Sequence, residues 1–457
     1  MEKVLELAAL GKVFEVMEGR VRDVCARMAD GTLSPADLDR AIREVMLEGG
    51  EAVAREAVNE LGRTARTSTG PRCPKCGKPM RFKQMRRMLL RTVMTGKPVR
   101  IVSPYWVCDS CRVGILGLRE QLHLDRDGFT PGLREMCTRA GASEPFASAS
   151  EENLLRMAGV TVSGTKVHTV CQETGAVAQE LMEDGLLGEP RRLRPGEKLY
   201  VEIDGGMLFV DGEWKEAKLA ILFPQSAIAE VSKNRREILH RQVLVTFGKP
   251  EDLGPMLWKA VERWLPKDKH GMPVVAGNVV VLADGSVWIW NLVEEYLPGA
   301  RVVLDWYHMA EHVATAALAN WPDNETQRKR WRTQIKNLLR RGRVDKALHD
   351  IGHLSMNRAP GSPAQEALAS LFRYLDERRP LLGYKQARDE GLYIGSGVVE
   401  SGMGFVLQQR MKRAGVRWTP TGACNMAALR CAYRSNGGFD AVFRRWRDST
   451  TEIREAA

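Results

Sequence analysis

Cys73-Pro-Lys-Cys76 and Cys108-Asp-Ser-Cys111 are two CxxC pairs, each a turn short enough to point two thiolates at one ion. Together Cys73, Cys76, Cys108 and Cys111 make the closed tetrahedral set of a structural Zn2+ site, with two reduced, unligated pairs as the alternative. The remaining five of the nine cysteines are scattered, which points to reduced thiols rather than a disulfide framework. Oxygen chemistry is offered by three acids. Asp204 lies in the alternating run Lys198–Val210, Asp284 closes the apolar run Asn278–Ala283, and Glu400 follows a Gly-hinged entry into a late helix. A few converging carboxylates suffice for Mg2+ or Mn2+, and two such ions can activate a water or a 3′-hydroxyl and stabilise the leaving oxygen of a phosphodiester. Taken singly, each acid is also what a helix cap or a Gly turn uses.

The elements that must position these acids follow from hydrophobic period. Lys198–Val210, Trp214–Phe223 and Ile238–Gly248 read as three successive antiparallel strands, the first two joined at Asp211-Gly212. Glu251–Trp264 reads as helix, Asn278–Ala283 as a buried strand, Trp288–Tyr296 as helix and Arg301–Leu304 as a further buried strand. This order predicts an α/β fold of ribonuclease H-like type, a mixed five-stranded sheet with flanking helices. Around it the sequence predicts a helical N-terminal or dimerisation region over 1–66, with Ser34-Pro35 opening a helix. A zinc ribbon over 67–125 follows, with a polar linker at 63–71. Residues 126–192 read as a helix-turn-helix region. The catalytic domain spans 193–310 and 393–457, the latter with the Glu-bearing helix and basic closing helices, and is interrupted by an all-α insertion at 311–392.

Charge names a class of partner. Lys and Arg outnumber Asp and Glu by 68 to 57, a net charge of +11, which favours a polyanion such as nucleic acid. Ser150–Cys171 has the cadence of a helix closed by Gly159, a short turn and an N-capped second helix, so Ser163, Thr165, Lys166 and Thr169 are candidates to face DNA. Between Gly402 and Trp418 there is no acid, while Arg410, Lys412, Arg413 and Arg417 are candidates for phosphate contact. Basic faces on the ribbon and on the insertion have solvated helix and hairpin faces as their alternative. No apolar run is long enough to span a bilayer and no signal-peptide pattern opens the chain, so no membrane partner and a cytoplasmic, nucleoid-associated location are expected. No GxSxG, Walker A or HExxH offers a competing chemistry.

Asp204-Gly, Ala283-Asp284-Gly, Leu304-Asp-Trp-Tyr-His308 and Gly395-Ser-Gly-Val-Val-Glu400-Ser with Arg410-Met-Lys412 resemble the DDE transposases of bacterial insertion sequences. The nearest likeness is the ISKra type and a more distant one the Mutator-like superfamily. The resemblance spans about residues 70 to 440. It implies Asp204, Asp284 and Glu400 as the metal-binding triad, a helical insertion between the last two, and assembly as a homodimer or larger synaptic complex on double-stranded DNA, both element ends and target. Asp305-x-x-His308 is similar to the C/D-x-x-H element of the Mutator-like group, with His308 placed to hydrogen-bond near a scissile phosphate. A buried structural histidine and a plain helix N-cap at Asp305 are the alternatives. Two other functions stay open: a structure-selective nuclease or resolvase on the same fold, and an inert zinc-ribbon DNA-binding regulator.

Overall fold

A computed structural model describes residues 7–67, 70–232, 235–395 and 402–455. It divides into two compact units, Met1–Val177 with Val442–Ala457, and Ala178–Ala441. In the first, α1 (Leu7–Ala29) and α2 (Leu38–Thr67) form a helical hairpin. Ser34-Pro35 opens a single 3-10 turn, with the Ser34 hydroxyl bonded to Asp37 rather than to a backbone amide. Helix α2 runs to Thr67, so the predicted linker is helical in its first half and residues 68–69 lie outside the described set. The strands β1 (Arg81–Leu90), β2 (Val99–Val107) and β3 (Gly114–Leu116) pair antiparallel in that order.

That small sheet has two cores because its strands alternate. Met88, Leu90, Val99 and Ile101 are buried against Ala54, Val58 and Leu61 of α2, while Met80 and Trp106 are buried with Cys73 and Cys108. Then come α3 (Pro131–Ser143), a π-helical segment at Ala149–Met157, and α4 (Gly164–Glu183), within which the chain passes into the second unit. The two predicted helices around Gly159 are present. The wide turn of the first, with Ala158 N bonded to Asn153 O at 3.2 Å, has no signature in a period-3.6 reading.

The second unit is a mixed five-stranded sheet. Strands β4 (Leu199–Val210), β5 (Glu213–Pro224) and β8 (Gln242–Thr246) are antiparallel neighbours, and β9 (Val279–Ala283) and β10 (Arg301–Leu304) add parallel to β4, giving the order β10-β9-β4-β5-β8. Between β5 and β8 sits a two-stranded ribbon, β6 (Ile228–Ser232) and β7 (Arg235–Ile238). The predicted single strand Ile238–Gly248 is therefore two strands. The break falls where the His240 ring meets Glu189 O at 2.9 Å, and where Asn436 N donates to Arg241 O at 3.0 Å while its Oδ1 accepts from Arg241 N at 2.8 Å. Helices α5 (Pro250–Val261) and α6 (Val287–Tyr296) lie in the β8–β9 and β9–β10 connections.

β9 is buried at every position, as expected of a parallel strand covered on both faces. After β10 the chain is helical through α7 (Trp306–Asn320), α8 (Glu325–Arg340), α9 (Val344–Met356) and α10 (Pro363–Glu377), the helical character expected of this stretch. From Gly402 on it continues through a π-helical segment, Gly404–Gln408, and a last turn, Gln409–Met411, before α11 (Pro420–Arg434) packs on β8.

Candidate functional site

Two groups of residues have the makings of a site. The first is built locally. In each CxxC turn the amide four residues after the first cysteine donates to that cysteine's carbonyl, Gly77 to Cys73 at 2.9 Å and Arg112 to Cys108 at 2.8 Å. Each first cysteine in turn donates its own amide five residues ahead, to Lys78 O and Val113 O. The fifth residue of each turn is left-handed, Gly77 at φ +67° and Arg112 at φ +55°. These matched knuckles bring the four Sγ atoms within 4.8 Å of one another. Cys73 and Cys108 are buried, and the hydrogen bond from the Lys78 backbone lowers the Cys76 thiol to about 7. The four cysteines could hold a metal ion such as zinc, for which thiolates in a closed set are the fitting donors.

The second group is built by strand register. Ile203 on β4 pairs with Ala283 on β9, and Ala283 pairs with Leu304 on β10. The next residue of each strand is an aspartate: Asp204, Asp284 and Asp305. Parallel strands run about 4.8 Å apart, so one edge of the sheet carries a row of carboxylates. Their surroundings separate them. Asp305 is fully buried and accepts from His308 N at 2.8 Å, the N-cap of α7. Asp204 and Asp284 are half-buried. Asp204 Oδ1 accepts from Gly205 N at 2.8 Å, and Asp284 accepts from Ser286 N and Oγ at 2.9 Å.

A cavity of about 180 Å³ opens beside Asp204, lined also by Gly205, Gly206, Met403, Gln408 and Lys412. Its walls meet closely: a Cβ on Gly206 would stand 2.8 Å from Met403 Sδ. Glu400 lies outside the described residues. The segment leading to it is tied down, with Trp306 N donating to Ile394 O at 2.9 Å and Tyr393 N to Tyr200 Oη at 3.0 Å. Among the described residues the four cysteines are the one group of three or more His, Cys, Asp or Glu close enough to hold an ion.

A model of an uncharacterised protein family (UPF0236) matches residues 78–448, well over half of the 457-residue chain. The chain belongs to that family. No curated protein matches it. The UPF0236 match takes in Cys108, Cys111, Asp204, Asp284, His308 and Glu400, whereas Cys73, Cys76 and α1 precede it.

Other predicted contact residues in this UPF0236 chain divide by burial. Lys412, Arg413 and Arg417 are exposed, and Lys412 Nζ stands 5.5 Å over the Trp214 ring. Arg410 is buried, its guanidinium 5.5 Å over the Trp418 ring, so it belongs to the packing of its segment rather than to a surface. Lys166 pairs with Asp127 and, at 3.7 Å, with Asp125, and Asp127 is held below the usual carboxylate range chiefly by that lysine. Ser163 Oγ accepts from Lys166 N at 3.3 Å, a helix cap, and Thr169 bonds back to Thr165 O; both threonines are exposed. Among the described residues no helix is long and apolar enough to cross a membrane.

Sequence reasoning missed two residues of the acid edge, Tyr374 and Arg378, which bond to the Asp284-Gly285 backbone. They sit one helical turn apart and could have been flagged only as a polar pair on an otherwise amphipathic helix.

Proposed function

We propose that this protein is a metal-dependent DNA transposase of the DDE kind on a ribonuclease H-like sheet. The strand order β10-β9-β4-β5-β8, three antiparallel strands followed by two parallel ones, supports the fold assignment. The observation that carries the chemistry is the register that sets Asp204, at the point on β4 where pairing with β9 ends, beside Asp284, at the carboxyl end of β9, both half-exposed. Glu400 is the proposed third carboxylate.

The hard carboxylate of Asp204 at a polar cavity, with Asp284 on the adjacent strand, fits Mg2+ or Mn2+, which when bound would supply Lewis-acid stabilisation of the attacking and leaving oxygens. The protein's own part is to hold Asp204 and Asp284 aligned, and to draw the phosphate backbone in with Lys412, Arg413 and Arg417. Water attacks phosphorus at an element end and the 3′-oxygen leaves with a proton. The freed 3′-hydroxyl then attacks a target phosphodiester, whose own 3′-oxygen leaves, so one P–O bond forms for each that breaks. A homodimer or larger assembly would hold two ends together.

The test is end binding, Mg2+-dependent cleavage and transfer of a pre-nicked end into plasmid, measured for Asp204→Asn, Asp284→Asn and Glu400→Gln. All three should bind ends as the parent does while cleavage and transfer fall to background. Retained strand transfer in any of them removes that residue from the site. Cutting of branched DNA without joining would make the protein a structure-selective nuclease, and binding with no Mg2+-dependent product a regulator.

A further inference from the structure

We propose that Tyr374 and Arg378, on the inserted helix α10 and the residue that caps it, are positioning residues that aim the Asp284 carboxylate. The inference rests on the acid site proposed above and adds to it the part played by the insertion. Tyr374 Oη donates to the Asp284 carbonyl at 3.1 Å, and Arg378 Nε donates to the Gly285 carbonyl at 3.0 Å. Consecutive peptide carbonyls of the turn carrying the acid are therefore held by one helix.

The holding pair is itself fixed. The Arg378 guanidinium lies 4.6 Å over the Tyr374 ring and donates through Nη1 to Tyr374 O at 3.2 Å, and His312 stacks on that ring at 3.8 Å and 22°. Burial pushes the Tyr374 phenol well above its ordinary value, so it stays a neutral donor throughout the working pH range.

The turn has little other support. Gly285 is left-handed at φ +88°, and a Cβ there would meet Arg378 Nε at 2.5 Å, so the turn and the arginine are fitted to each other. The carboxylate itself bonds only within its own turn, to Ser286, among the contacts described for it. What sets the direction of that turn relative to β4 is then the grip on its two carbonyls. An acid that must share an ion with Asp204 has to be held to within about 0.5 Å, and side chains locked by packing around its backbone supply that.

The experiment is a Mn2+ titration followed by electron paramagnetic resonance on the full chain, with the cysteine site filled by Zn2+ so that it does not compete. Asp284→Asn is the reference for loss of the site. Tyr374→Phe, which keeps the ring and its stacking, should weaken Mn2+ binding about three- to tenfold, and Arg378→Ala about tenfold or more, with Arg378→Lys intermediate. Thermal unfolding read on the same samples reports any general loss of structure. Mn2+ affinity unchanged in folded Tyr374→Phe and Arg378→Ala, with Asp284→Asn having lost it, overturns the positioning role and leaves the acid site standing. Should Asp284→Asn and Asp204→Asn both bind Mn2+ like the parent, the acid site falls and the positioning role falls with it.

Discussion

The cysteine knuckles and the acid edge are both sets of donors, and they are assembled in opposite ways. Each knuckle is finished within six residues: the CxxC turn, one left-handed residue and two backbone hydrogen bonds orient both thiols before any long-range contact is made. The β1–β2 hairpin has only to bring one turn to the other. The acid edge has no such local unit. Asp204 and Asp284 meet because β9 adds to β4 in one register, and a shift of one residue would turn every side chain of the strand to the other face. The turn that carries Asp284 is then held from a helix some ninety residues further along the chain. Donors placed by a short turn are legible from spacing alone, whereas donors placed by register are legible only once the strands are.

The comparison predicts that the knuckles stand or fall with their ion. A structural four-cysteine zinc carries apparent binding energy of about 10 kcal/mol or more, so removing it or one ligand should have the largest effect in the molecule. Cys108→Ser, at a buried ligand position, should reduce bound zinc from one to none per chain and strip hydrogen-exchange protection from β1 and β2 while β4 and β9 stay protected. Unchanged protection of the hairpin in zinc-free protein would break the analogy with a folding metal.

The same contrast explains what was legible beforehand. Val279–Ala283 and Arg301–Leu304 are apolar runs of strand length closed by an acid, and their existence and ends follow from pattern. The long alternating run at β4 likewise marks a strand with Asp204 on it. The break at His240 does not show, because Asn436 and Glu189 impose it from far away in sequence. Lys166 and Arg410 read as phosphate contacts because a sequence shows charge and not burial; one is engaged by Asp127 and the other lies inside. Asp305 reads as part of an Asp-x-x-His element or as a plain cap, and the structure has it capping α7. Tyr374 and Arg378 were beyond reach, since nothing in a helical heptad says which distant carbonyl it will meet.

Glycine substitutions sharpen the difference at smaller cost. Gly77 and Gly285 are both left-handed, at φ +67° and +88°. A methyl on Gly77 meets nothing within 4 Å, and Arg112 shows that the matching position in the other knuckle accepts a side chain. A methyl on Gly285 meets Arg378 Nε at 2.5 Å and Leu304 Cδ1 at 2.9 Å. Gly77→Ala should therefore cost about 1 kcal/mol, the backbone strain alone, and Gly285→Ala about 2 to 4 kcal/mol, strain plus displacement of Arg378. Denaturant unfolding of the two variants measures this. Equal losses would mean that the turn at Asp284 is no more dependent on its distant partner than the knuckle is.

The smallest effect concerns how the sheet bearing Asp204 is started. Glu197, two residues before β4, bonds to Arg191, to the Arg194 amide and to Ser226, so it ties the entry of β4 to the exit of β5. The Arg191 guanidinium first, and the Arg194 and Ser226 hydrogen bonds after it, hold the carboxyl well below its ordinary 4.5. A carboxyl depressed in the folded state stabilises above its unfolded value and loses that contribution as pH falls through the folded one. Glu197→Gln should lower the melting temperature by a few degrees or less at pH 7, since the Arg191 partner is a third exposed and screened. The gap between variant and parent should narrow progressively as the pH is taken below about 4, because the unfolded parent then takes up a proton that the folded carboxyl, held well below its ordinary value, resists. A gap that stays constant to the acid limit would show that the loop is held by shape rather than by charge, and that long-range ties on this side of the sheet are as insensitive to solution conditions as the backbone bonds of the knuckles.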